Sequence, residues 1–213
     1  MKRIFLILIL ALVSCYDDDS TLVIADNTAH ISSKLTNNLK SISLHDASYD
    51  DIVDNSSCFS LEFPYEITVN AELRTIDSIE DLELLHEDDA IEIVYPVSAV
   101  LYNYEKHQIT TNAEYGAFVN ACENTFSLDP HKCLDFQYPV RVKMYNRVGN
   151  SFQTMVLDHD QDMYVFFDNL QENDIYEIEY PIELNDHTTG TTKAVSSNNE
   201  FDALFTDTHG NCQ

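Results

Sequence analysis

Asp158, Asp160 and Asp162 alternate in the run Asp158-His159-Asp160-Gln161-Asp162, a spacing that can offer oxygen ligands to Ca²⁺. The run departs from an EF-hand loop: Met163 stands where Gly is required, and the distal Glu is missing. An acidic first turn of a helix is the competing reading of these three metal candidates. Glu87-Asp88-Asp89 is a similar acidic turn. Glu177 and Glu179 lie two apart, and paired carboxylates suit glycoside chemistry only with a cleft and a partner across it. A flat charged strand face is the simpler expectation. The eight histidines form neither HxH nor HExxH, and their positions in turns predict solvated loop residues. Nucleophile-elbow and Gly-rich phosphate-loop motifs are absent from the sequence. These residues imply no cofactor and no catalytic set.

Five cysteines carry the other candidate chemistry: Cys15, Cys58, Cys122, Cys133 and Cys212. Lys2 and Arg3 precede an apolar run from Ile4 to Val13, too short to span a bilayer and ordered like an export signal. The ending Leu12-Val13-Ser14-Cys15 resembles the lipobox of bacterial lipoproteins, in which the cysteine is acylated and becomes the mature N-terminus. With Cys15 given to lipid, an even set of four remains. An exported chain lives where disulfides persist, and the spacings are not those of a zinc site. Four cysteines allow three pairings.

The charge balance excludes whole classes of partner. Acidic residues number 37 against 11 basic, for a net charge of −26. Such a surface repels phosphate backbones and anionic headgroups, so nucleic acid is not a partner. Membrane attachment would rest on lipid at Cys15, and stable anchoring takes more than one acyl chain.

The elements that would position these residues follow from periodicity. An aromatic-Pro pair recurs at Phe63-Pro64, Tyr95-Pro96, Tyr138-Pro139 and Tyr180-Pro181, which accounts for four of the five prolines. Each pair sits in a period-two apolar run, as in Phe59, Leu61, Phe63, Tyr65, Ile67 and Val69. Such runs predict half-buried strands with the proline at an edge or bulge. Shorter strands follow near Leu73–Ile76, His107–Thr111, Phe152–Leu157 and Thr191–Val195. Thr111-Asn-Ala-Glu114 and Ser197-Asn-Asn-Glu200 fit capping boxes, each opening an apolar helix face. The expected fold is α+β, with four ββα repeats forming two ββαββα modules and helices on one face of antiparallel sheets. Glu62, Glu66, Glu92, Asp135, Glu177, Glu179 and Glu183 would line the other, solvated face. Residues 1–14 read as signal, 15–57 as a polar tether, 58–122 as the first module, 123–132 as linker and 133–213 as the second module. Within the tether, Leu35, Leu39, Ile42 and Leu44 could form a short helix or packing arm. Bracketing of the modules favours Cys58–Cys122 and Cys133–Cys212, each closing a long loop for roughly 4 kcal/mol.

The Cys-aromatic opening, the four aromatic-Pro strands, the Ser/Asn-x-x-Glu helix starts and the closing cysteines together resemble a family of uncharacterised flavobacterial-type lipoproteins. The resemblance spans the lipobox and about residues 50 to 212. It implies a repeated fold and an envelope location, and no activity. Asp17-Asp18-Asp19 is similar to the acidic export signals that send such lipoproteins to the outer face. The expectation is a lipid-anchored envelope protein, outer-membrane and surface-exposed, with a non-catalytic structural or binding role. Its rivals are a polysaccharide- or peptide-binding accessory for nutrient uptake, a Ca²⁺-dependent adhesion module and an unrecognised hydrolase. A protein or glycan partner remains unnamed.

Overall fold

Strands that alternate apolar and polar residues need a core on one side only, and helices cover that side. The computed structural model describes residues 28–29, 33–122, 130–146 and 151–211. In chain order the elements begin with β1 (Thr28–Ala29), α1 (Lys34–Ile42) and α2 (Asp51–Asp54). There follow β2 (Phe59–Leu61), β3 (Tyr65–Val69), β4 (Glu72–Ile76), α3 (Ile79–Leu82), β5 (Ile91–Val94), β6 (Val97–Leu101), β7 (Lys106–Ile109) and α4 (Asn112–Cys122). The rest are β8 (Leu134–Gln137), β9 (Val140–Asn146), β10 (Ser151–Leu157), α5 (Asp160–Asp168), β11 (Tyr176–Ile178), β12 (Ile182–Asp186), β13 (Thr191–Val195) and α6 (Asn198–His209). The fold is mixed α+β, and every strand pairing among the described residues is antiparallel.

The period-two runs do not form single strands. Each is broken at its aromatic-Pro pair, where the peptide bond is cis, and the two pieces enter different sheets. The sheets run β2-β6-β7, β4-β3-β5, β13-β12-β8 and β1-β11-β9-β10. The four prolines are exposed, in keeping with a residue that has no N–H to give to a ladder. Just after each proline, Tyr65, Val97, Val140 and Ile182 pair with Ile76, Ile109, Leu157 and Val195. Asp81, Glu114, Asp162 and Glu200 then each accept a backbone N–H at the start of the next helix, from Asp77, Thr110, Asp158 and Ser196, at 2.6–3.1 Å. Three of the aromatics bind the first residue of that helix: Tyr95 to Asn112 (3.4 Å), Tyr138 to Asp160 (2.5 Å) and Tyr180 to Asn198 (2.6 Å).

The apolar faces meet in two cores. One gathers Phe59, Leu61, Ile67, Ile76, Ala99 and Cys122; the other gathers Leu134, Val142, Met163, Phe167, Tyr176, Leu184 and Phe201. The four pre-proline aromatics pack half-buried against these cores. Glu66, Glu92, Asp135, Glu179 and Glu183 are exposed, and Glu62 and Glu177 are half-buried. Cys58 and Cys122 form a disulfide with Cα atoms 6.1 Å apart. Cys133 is also disulfide-bonded; Cys212 lies outside the described residues, as do Cys15 and the expected export signal.

The tether expectation is corrected for residues 33–57. Leu35, Leu39 and Ile42 of α1 fill the second core, and Val53 of α2 fills the first. Ser33 caps α1 by accepting the Thr36 N–H at 3.1 Å. Full burial of Leu39 is worth about 1.5–3 kcal/mol, enough to hold a nine-residue helix that would be marginal alone. This segment is therefore a strap across both cores.

Candidate functional site

Where the strap passes from one core to the other, a cleft of about 360 Å³ opens. Ser41 and Ile42 end α1, and Leu44, His45 and Asp46 follow in the strap. Tyr102 enters from the β6–β7 turn, Asp135 from β8, Asp160 from α5 and His187 from the loop after β12. Pro130, His131 and Lys132, just before β8, complete the wall. Backbone bonds fix this frame: His45 N–H to Tyr102 O (3.0 Å), His131 N–H to Ser41 O (3.0 Å) and His187 N–H to Cys133 O (2.9 Å). A second tie crosses nearby. Tyr104 stacks obliquely on Tyr164 at 5.9 Å and donates its hydroxyl to Ser43 O at 3.0 Å. Lys40 lies 5.0 Å over the Tyr164 ring and pairs with Asp168 at 2.6 Å.

Several of the cleft's polar groups are held by hydrogen bonds. Tyr138 donates to Asp160 Oδ1 at 2.5 Å. Burial pushes the Asp160 carboxyl up from the usual range; the Tyr138 hydrogen bond pulls it down, and the Asp135 charge adds to the rise. The Tyr138 phenol is itself held up, by burial first and then by Asp160. His187 Nε2 donates to Asp135 Oδ2, both on the exposed rim. His45 Nε2 hydrogen-bonds Ser60 Oγ at 2.7 Å, and burial lowers its basicity against the opposing pull of Asp46. His131 is 3% exposed and bonds Thr208 Oγ1 at 3.1 Å. This arrangement can offer a ligand carboxylate acceptors, imidazole nitrogens and one ammonium in a small space.

The expected solvated histidines thus divide. His86, His107, His159, His187 and His209 are exposed, whereas His45 is half-buried and His131 is core. Position in a turn gave no warning of this, because the groups packed on them come later in the chain: Ser60 of β2 and Tyr104 on His45, and Phe205, Thr208 and His209 of α6 on His131. Of the three metal candidates only Asp160 reaches the cleft. Asp162 accepts the Asp158 N–H at 3.1 Å, and its own N–H is capped by His159 Nδ1 at 3.2 Å. Asp158 and Asp162 therefore belong to the start of α5. Among the described residues no three His, Cys, Asp or Glu side chains converge to hold a metal. Tyr102 also lines the cleft. Asp46, Asp135, His45, His131 and His187 carried no local motif that marked them.

Comparison with family models, curated proteins and solved structures finds no match to this chain.

Proposed function

We propose that this is a lipid-anchored protein of the bacterial cell envelope, outer-membrane and surface-exposed, with a non-catalytic binding role seated in the cleft between its two cores. The observation that carries the location is the run from Lys2 to Cys15, with its basic start, short apolar stretch and Leu-Val-Ser-Cys ending. Among the described residues no helix is long and apolar enough to cross a membrane. The binding role is supported by a concave site whose polar groups are held by hydrogen bonds, His187 to Asp135 within the lining and Asp160, His45 and His131 to Tyr138, Ser60 and Thr208.

In this reading the body consists of four related units in two disulfide-stapled modules, Cys133 pairing with Cys212. The support is the fourfold recurrence already described: an aromatic before Pro, a strand pair closing at Ile76, Ile109, Leu157 and Val195, and an acid at the third helical position. The first unit departs from the others in carrying Phe63 and a four-residue helix.

Membrane fractionation tests the location: wild type should sediment with membranes and Cys15→Ala should be soluble. A glycan and peptide array tests the role. A hit that Asp135→Ala or His187→Ala abolishes supports the cleft; a hit that both variants leave unchanged moves binding elsewhere.

A further inference from the structure

Two carboxylates are buried together where the strap packs on the first core. Asp50 precedes α2 and Asp54 ends it, so they stand four residues apart, neighbours across one helical turn. Asp50 is 0% exposed and Asp54 2%. Each uses one oxygen. Asp50 Oδ2 accepts the Leu61 N–H at 2.7 Å, and Asp54 Oδ1 accepts the Ser56 N–H at 2.9 Å. Asp50 Oδ1, Asp54 Oδ2 and the hydroxyl of Tyr65, itself 5% exposed, are enclosed and make no hydrogen bond.

Among the described residues the surroundings supply no positive charge. Asp46, Tyr49 and Asp51 face the pair from the strap, Tyr65 from β3 and Tyr115 from α4. Tyr95 stands beside Tyr115, and Glu92 of β5 shares a surface hollow with Asp54. All are carboxyls or phenols, and none of the ion pairs among the described residues includes Asp50 or Asp54. A buried carboxylate with no counter-charge neutralises by taking a proton. Ionised, both carboxylates only accept, and the Tyr65 hydroxyl is the sole donor among the three enclosed atoms; each added proton supplies another.

We propose that Asp50 and Asp54 are a proton-holding acid pair that fastens the strap to the first core, and that the strap loosens when the pair loses its protons. Desolvation carries Asp50 up to about 7. Desolvation, with the Asp50 charge next, carries Asp54 up to about 9. The sign follows from linkage. The folded state keeps protons that the unfolded chain has released above the ordinary aspartate range. The pair's contribution to stability is therefore full in acid and declines as pH rises, until both groups are ionised in both states.

The test uses the full chain. In a ¹³C titration of aspartate carboxyls, two carbons should titrate above about pH 6. Both titrating in the ordinary aspartate range would overturn the proposal. The net charge of −26 also weakens the fold as pH rises, so slopes must be compared between variants. The urea midpoint of wild type should fall between about pH 5 and about pH 8, and Asp54→Asn should lose most of that fall. Asp88→Asn, an exposed control, should keep it. Equal slopes in Asp54→Asn and wild type would overturn the proposal. Exchange protection of the Val53, Asp54 and Asn55 amides, corrected for intrinsic rate, should drop over the same interval; unchanged protection would refute the loosening. Should Asp54→Asn fail to fold, the carboxyl titration and exchange of wild type decide alone.

Discussion

Tyr138 and Asp160 show how one residue can serve both fold and cleft. The phenol sits against the second core through its ring and ties the start of α5 through its hydroxyl. Tyr138→Phe keeps the ring and removes the donor. Asp160 then loses the hydrogen bond that favours its charged form, so its carboxyl should titrate higher still, as a side-chain ¹³C titration would read. The accompanying loss in stability should be about 1 kcal/mol. A downward shift of Asp160 would show that Tyr138 does not stabilise the carboxylate. The acid at the third helical position was legible from sequence at Glu114 and Glu200, because a capping box is local. Asp50 and Asp54 were not legible: in Tyr49-Asp50-Asp51-Ile52-Val53-Asp54 they read as solvated acids. Packing against β2, β3, β5 and α4, which come later in the chain, buries them.

At the scale of elements, period-two alternation revealed the strands but not their breaks. Phe59 to Val69 alternates without interruption, yet β2 pairs with β6 and β3 with β4 and β5. Partnership of this kind is non-local, and alternation reports only which face a residue takes. The strap escaped for a related reason. Leu35, Leu39 and Ile42 are three apolar residues among Ser, Thr, Asn and Lys, too few for a confident amphipathic pattern until a core is present to receive them. Leu39→Ala tests whether the strap is integral. Unfolding in urea should show a loss of about 2–5 kcal/mol. A change within about 0.5 kcal/mol would return the segment to a tether. The disulfide offers a second test. Cys58 and Cys122 are 64 residues apart, and replacing both with Ser should cost about 2–5 kcal/mol in the same assay.

Across the whole molecule, the strap, the two cores and the cleft form one arrangement. α1 completes the second core, α2 completes the first, and the residues between them line the cleft. Any ligand seated there would touch both halves and the strap. The strap's hold on the first core rests on an acid pair, so cleft shape and proton uptake share an element. The surface outside is strongly acidic, with exposed carboxylates along β3, β5 and β12. Such a surface is repelled by anionic lipid, so in the proposed reading attachment rests on an acyl group at Cys15. Metabolic labelling with palmitate in a bacterial host that processes lipoproteins tests this most directly. The wild-type chain should carry label at Cys15, and Cys15→Ala should carry none. An unlabelled wild type, or label that persists in Cys15→Ala, would contradict the anchor.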